Sequence, residues 1–187
     1  MDYPELYFPK DVEWYDWLLQ NHDNVNGVYL IFYKLEINKP TMRWEEAVKV
    51  VLCFGWIDST VKSLGNGKRR QYFCPRNQKS VWSALNKRYV IELEKNNLIQ
   101  PSGYHKIEIA KQNGMWTFLD DVENLIIPND LLLAFNTNKE AHTNYQNFAP
   151  GYRKSYLYWL KQAKREATRQ NRIEKIIEYC EQNKKMR

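Results

Sequence analysis

The sequence predicts an α+β protein, a small antiparallel β-sheet covered by helices with a helical C-terminal segment. Three observations carry this. VYLIFYK (28–34) has β-branched and aromatic residues on both faces, as a buried strand does. GWIDSTVKSL and KRRQYFCP flank Gly65-Asn66-Gly67, a hairpin signal because these turn residues tolerate positive φ. Most of the rest carries apolar residues at helical spacing between Pro and Gly breaks.

The elements follow in order. Asp11 is placed to cap a first helix, with Glu13 in its first turn and Trp14, Trp17 and Leu18 on one face. Strand 28–34 comes after Asn26-Gly27. Pro40 breaks the chain, and a second helix starts at Thr41 with Trp44, Ala47, Val48 and Val51 as its inward stripe. The hairpin pairs 55–64 with 68–75. A long helix is expected over 79–97, and a shorter one runs from Pro101 to near Gly114. FLDDVEN is read as a link. Pro128 starts the next helix, another surrounds Ala141, and Pro150-Gly151 precedes a final helix over roughly 152–183. The domain expectation is an α+β body over 1–125 and a helical segment over 126–187 that docks on it.

Charge is unevenly placed. Residues 150–187 hold 11 basic and 4 acidic residues, a net +7, so the other 149 residues carry −1 of the total +6. The body is electrically ordinary and the tail holds the excess, which fits an anionic partner or a solvated helix face. The 7 Trp and 13 Tyr exclude a disordered chain, because large aromatic surfaces offset the entropy cost of folding. Cys53, Cys74 and Cys180 are odd in number and form no C-x-x-C pair, so they read as reduced thiols in a cytoplasmic setting. MDYPELYFPKD is not a secretory signal, and no apolar run is long enough to span a membrane.

The densest mixture of aromatic, basic and small polar residues lies between Cys53 and Lys87. Trp56 and Asp58 share a strand face. Asp58 has two readings, an ion pair with Arg76 across the hairpin or an acceptor for a ligand. Arg76, Ser80 and Trp82 flank the expected start of a helix, where unpaired N–H groups favour an anion. Ser80 also reads as a cap and Trp82 as core. Lys34 ends its strand near the same surface. These six residues define a candidate ligand pocket between the hairpin and the 79–97 helix. Arg69, Arg70, Tyr72 and Phe73 have the composition of a single-stranded nucleic-acid surface, and equally of an ordinary hairpin. Lys161, Arg165, Arg169 and Arg172 recur at helical spacing as a basic stripe opposite Tyr156, Leu160, Ala163 and Ala167. The stripe suits phosphates, an acidic protein surface or water.

Catalytic patterns are missing from the sequence. His22, His105 and His142 lack metal-ligand spacing, there is no G-x-S-x-G elbow, and Cys53 sits in an apolar run. The expectation is no metal and no cofactor.

Several blocks resemble the bacterial YdeI/OmpD-associated, or bacteriocin-protection, family. They are Glu13-Trp14, Trp17-Leu18, Trp44-Glu45-Glu46-Ala47, Leu52-Cys53-Phe54-Gly55-Trp56-Ile57-Asp58, Pro75-Arg76, Ser80-Val81-Trp82-Ser83 and Asn86-Lys87. They continue with Ala110-Lys111, Gly114-Met115-Trp116, Ala163-Lys164, Thr168-Arg169 and Arg172-Ile173, spread over nearly the whole length. The resemblance implies a stress- or bacteriocin-protection role and brings neither a defined reaction nor catalytic residues. Where the family's tail has Glu-Thr-Arg, this chain has Ala167-Thr168-Arg169, with Glu166 adjacent. The resulting expectation is a non-catalytic protein that binds a small anionic ligand or a protein partner near the hairpin. Two alternatives stand beside it: nucleic-acid binding through the basic C-terminal helix, and an unrecognised hydrolase or transferase.

Overall fold

The computed structural model describes residues 3–186 and has the expected α+β architecture. It divides into two compact units, one ending at Thr117 and one beginning at Phe118.

The first unit is built on a four-stranded sheet of β1 (Glu5–Leu6), β2 (Val28–Tyr33), β3 (Trp56–Gly65) and β4 (Lys68–Pro75), in the order β1-β2-β4-β3. The hairpin β3–β4 and the pair β2–β4 are antiparallel, as the sequence predicts. The short β1 pairs parallel with β2 and makes the sheet mixed. Edge strand β3 is irregular between Asp58 and Val61 and again between Ser63 and Gly65. Such breaks blunt an edge that would otherwise template pairing with another chain.

Helices α1 (Asp11–Asn21), α2 (Trp44–Cys53), α3 (Ala84–Lys95) and α4 (Pro101–Gln112) complete this unit. Trp14 and Leu18, four apart on α1, are fully buried. Phe8 stacks on Trp14 at 5.5 Å, while Trp56 and Phe73 meet its ring edge-on. The α2 stripe of Ala47, Val48 and Val51 joins the same core. Gly103 lets α4 approach the end of α2, because a Cβ there would sit 2.3 Å from the Cys53 carbonyl oxygen. The Gln100 N–H donates to that same carbonyl at 2.9 Å.

Two helix starts differ from expectation. α2 begins at Trp44 rather than Thr41, and α3 begins at Ala84 rather than 79. The second shift has a local cause. Ser83, not Ser80, is the N-cap, and its hydroxyl accepts from the Asn86 N–H at 3.2 Å. Residues 76–83 are therefore a non-helical segment.

The second unit is helical: α5 (Asp120–Glu123), α6 (Asn129–Thr137), α7 (Lys139–Asn147), α8 (Pro150–Lys161) and α9 (Glu166–Glu181). Pro128 precedes α6 as its N-cap, and Pro150 occupies the first turn of α8. Leu131, Phe135, Tyr145, Tyr156, Leu160, Ile173, Ile176 and Cys180 form its core. The single helix expected over 152–183 is two helices, interrupted at Gln162–Arg165. That break removes the continuous basic stripe.

Candidate functional site

The open surface nearest the expected site is a cleft of about 500 Å³ in the first unit. Its walls come from the end of β2, the 34–43 loop, the start of α2, the hairpin turn and Arg69. Backbone hydrogen bonds hold these pieces. The Lys34 N–H donates to the Gly67 carbonyl at 2.8 Å, and the Tyr33 N–H donates to the Thr41 hydroxyl at 3.2 Å. Gly67 has φ +67°, and a Cβ there would lie 2.3 Å from Ile37 Cδ1. The turn can thus form only with glycine while Ile37 packs on it.

The cleft carries three cations, Lys34, Arg43 and Arg69, against one acid, Glu45. Lys34 and Arg43 are exposed, and the Arg69 guanidinium sits 5.1 Å from the centre of the Phe32 ring. Trp44 supplies an aromatic wall. Behind it, Asp58 Oδ2 accepts from Trp44 Nε1 at 3.0 Å and from Gln71 Nε2 at 2.7 Å. Gln71 is 2% exposed, so this carboxylate ties a buried amide to a cleft residue. Sequence reasoning placed Trp44 in the core stripe and overlooked Arg43; their position just after Pro40 was the available signal.

The six expected ligand residues separate in space. Lys34 lines the cleft and Asp58 supports it from behind. Trp56 (1% exposed), Arg76 (2%) and Trp82 (1%) are packed interior and form no open pocket wall. Arg76 lies over the Trp82 ring, and Trp82 packs in turn on Trp116 at 5.1 Å. Ser80 belongs to a turn in which its N–H donates to the Asn77 carbonyl. The Asp58 carboxylate is taken by Trp44 and Gln71, and it acts on Arg76 only as a nearby charge. Burial pulls the Arg76 pKa down to about 10, and Asp58 partly opposes that. Arg76 Nη1 donates to the Val81 carbonyl at 3.2 Å, whereas Nε and Nη2 have no acceptor among the described residues.

The basic residues also separate. Arg69 faces the cleft, while Arg70 turns to the opposite sheet face and pairs with Glu5 at 2.6 Å. In the second unit Lys161 pairs with Asp121 at 3.0 Å. Arg169 grips Asp130 with two hydrogen bonds, the Nη2–Oδ1 one at 2.9 Å. Arg172 donates to the Trp159 carbonyl and stacks on that ring at 5.1 Å. Arg165 is exposed at the start of α9. Three of the four expected stripe cations are thus engaged within the fold.

Two other hollows are less suited to an anion. One of about 520 Å³ is lined by Asp11, Glu46 and Glu92, with Lys49 already paired to Glu92. One of about 280 Å³ in the helical unit has a mostly apolar floor, and its cations Lys161 and Arg169 are those already paired. Burial pushes the Cys53 and Cys180 thiols up to about 12, the opposite of what an activated thiolate needs.

The fold thus joins a sheet-centred body to a separate all-helical unit, and comparison with known families divides the chain in a similar way. The model described as Domain of unknown function (DUF8412) matches residues 6–106, more than half of the length, and the chain belongs to that family. Residues 124–183 match the model described as Bacteriocin-protection, YdeI or OmpD-Associated. That is the family the sequence blocks resemble, and the match is confined to the helical unit. The LCFGWID and PR…S-W-S blocks fall within the region matched by the first model. No curated protein and no solved structure matches the chain. No helix among the described residues is long and apolar enough to cross a membrane.

Proposed function

We propose that this bacteriocin-protection-type protein works by binding rather than catalysis. It takes a small anionic ligand with a flat unsaturated body into the cleft of the first unit. The observation that carries the reading is the meeting of Lys34, Arg43 and Arg69 around the Trp44 wall. Cations supply charge-assisted hydrogen bonds to a phosphate, sulfonate or carboxylate, and the indole offers a stacking face. The three free cysteines fit a reducing, cytoplasmic setting.

The test is a titration of protein carrying ¹⁵N-labelled tryptophan with inorganic phosphate and, separately, benzoate. The Trp44 indole N–H resonance is expected to shift saturably, with affinity reduced at least 10-fold by Arg69→Ala or Lys34→Ala. An unmoved resonance with both probes, or affinity indifferent to both substitutions, overturns the reading.

A further inference from the structure

Apart from Tyr33, which also borders the cleft, the sheet face opposite the cleft has a composition that the proposed ligand site does not use. Register pairs Tyr29 with Tyr72, Ile31 with Arg70 and Tyr33 with Lys68, and Arg70 with Lys62 of β3. Alternate residues share a face, so these side chains point one way, while Val28, Leu30, Phe32 and Phe73 point the other. The aromatic residues are sorted accordingly. Phe32 and Phe73 are at most 2% exposed, whereas Tyr29, Tyr33 and Tyr72 keep part of their surface in water. Tyrosine suits such a half-open position, because its ring is apolar and its hydroxyl is wet.

Cations are set against these rings. The Arg70 guanidinium lies 4.3 Å from the centre of Tyr29, oriented by its pair with Glu5. Lys39 Nζ lies 4.3 Å from the centre of Tyr33 and donates to its hydroxyl at 3.0 Å. Two aromatic–cation clusters result. Tyr29 and Tyr33 mark their centres, and four residues of extended strand separate them by roughly 13 Å. Lys62 and Lys68 lie on the same face, so its charge is strongly positive, with Glu5 already occupied by Arg70.

We infer that this face binds single-stranded nucleic acid, with bases stacking on the tyrosine rings and phosphates meeting Lys39, Lys62 and Lys68. Flat rings interleaved with cations are what sequence-tolerant single-strand binding requires. The face carries tyrosine hydroxyls where a lipid-inserting surface would carry aliphatic chains. Duplex DNA hides its base faces and has nothing to offer the rings. The site lies in the sheet rather than on the basic C-terminal helix, where Arg169 is paired with Asp130 and Arg172 is bound to the Trp159 carbonyl.

The experiment is fluorescence anisotropy of labelled 12-nucleotide oligo-U and oligo-dT, with a duplex control, at 50 and 200 mM salt. For three phosphate contacts, affinity should fall about 20-fold between the two salt conditions. Lys62→Glu with Lys68→Glu should abolish binding, and Tyr29→Leu with Tyr33→Leu should weaken it at least 10-fold. Arg165→Glu on the helical unit and Lys34→Ala in the cleft should leave it intact. The lysine pair decides the matter if the tyrosine variant is misfolded by circular dichroism. Tighter binding of oligo-U would assign contacts to the 2′-hydroxyl, and equal binding to stacking and phosphate alone; both support the inference. No single-strand binding at 50 mM salt, a preference for duplex, or loss in Arg165→Glu with the lysine pair indifferent, overturns it.

Discussion

The guanidinium of Arg76 lies 3.8 Å from the centre of the Trp82 ring, and both side chains are buried. Cation–π attraction and the nearby Asp58 charge offset part of the desolvation of Arg76, but two of its nitrogens lack an acceptor among the described residues. Because its pKa of about 10 lies below the ordinary value, the penalty is constant at neutral pH. It lifts only above about 10, where the folded state sheds a proton that the unfolded state keeps. Arg76→Met keeps most of the volume and removes the buried charge, so it should match or exceed the parent's stability. Arg76→Ala opens a cavity over Trp82 and should cost about 2 kcal/mol. Urea midpoints of the two variants check the ordering, and neither variant should alter phosphate binding at the cleft once folded.

Asp58 joins Trp44 and Gln71 through one oxygen, so its removal should be felt at both ends. Asp58→Ala leaves the Gln71 amide, 2% exposed, without its acceptor and frees the Trp44 indole, a loss of about 2 kcal/mol. Asp58→Asn retains a carbonyl able to accept both bonds and should cost under about 1 kcal/mol. Thermal melts measure the stability difference. The Trp44 indole N–H resonance should move toward its solvent-exposed position in Asp58→Ala and stay near the parent's in Asp58→Asn.

Much of the fold was legible because its signals are local. The unbroken run of β-branched and aromatic residues in VYLIFYK, the Gly65-Asn66-Gly67 turn and the Trp14–Leu18 spacing each report one element within a few residues. Where the sequence misled, the deciding contact was elsewhere. Glu5–Leu6 is too short to show a period, and it is a strand only because β2 lies beside it. Val81, Trp82 and Leu85 mimic a helical stripe, yet Arg76 captures the Val81 carbonyl and Ser83 starts the helix. The break between α8 and α9 falls at Gln162–Arg165, with neither glycine nor proline to mark it. The candidate site suffered most, because burial is a property of the whole core. Nothing local distinguishes buried Arg76 from Arg69, seven residues earlier, which reaches the cleft.

The thiols give a graded reactivity. Cys53 and Cys180 are buried and pushed up to about 12, whereas Cys74 is only half-buried, and the Arg76 charge opposes its upward shift. A disulfide reagent at pH 8 should modify Cys74 first. Cys53 and Cys180 should react only at the rate of unfolding, since both exposure and thiolate fraction are low. Denatured protein should release all three together. Fast modification of Cys53 in the folded state would mean that the end of α2 opens, and hydrogen exchange at Gln100, which bonds the Cys53 carbonyl, would then be fast as well.

The two arginines at the start of α9 should behave differently although the sequence presents them as one stripe. Arg165 is exposed, and Arg165→Glu is expected to change stability by less than about 0.5 kcal/mol. Arg169 holds Asp130 in the first turn of α6, and its guanidinium keeps that carboxyl below the ordinary carboxylate range. A depressed carboxyl pKa stabilises the fold above the unfolded value and loses that contribution as pH falls through the folded one. The pair is partly exposed, so solvent screening limits it to about 1 kcal/mol. Stability measured from pH 7 down to pH 2 should therefore fall more steeply in the parent than in Arg169→Gln, which starts lower and converges with the parent in acid. Parallel curves that never converge would mean that Arg169 acts through packing alone, and Asp130→Asn would then leave the parent's acid slope unchanged.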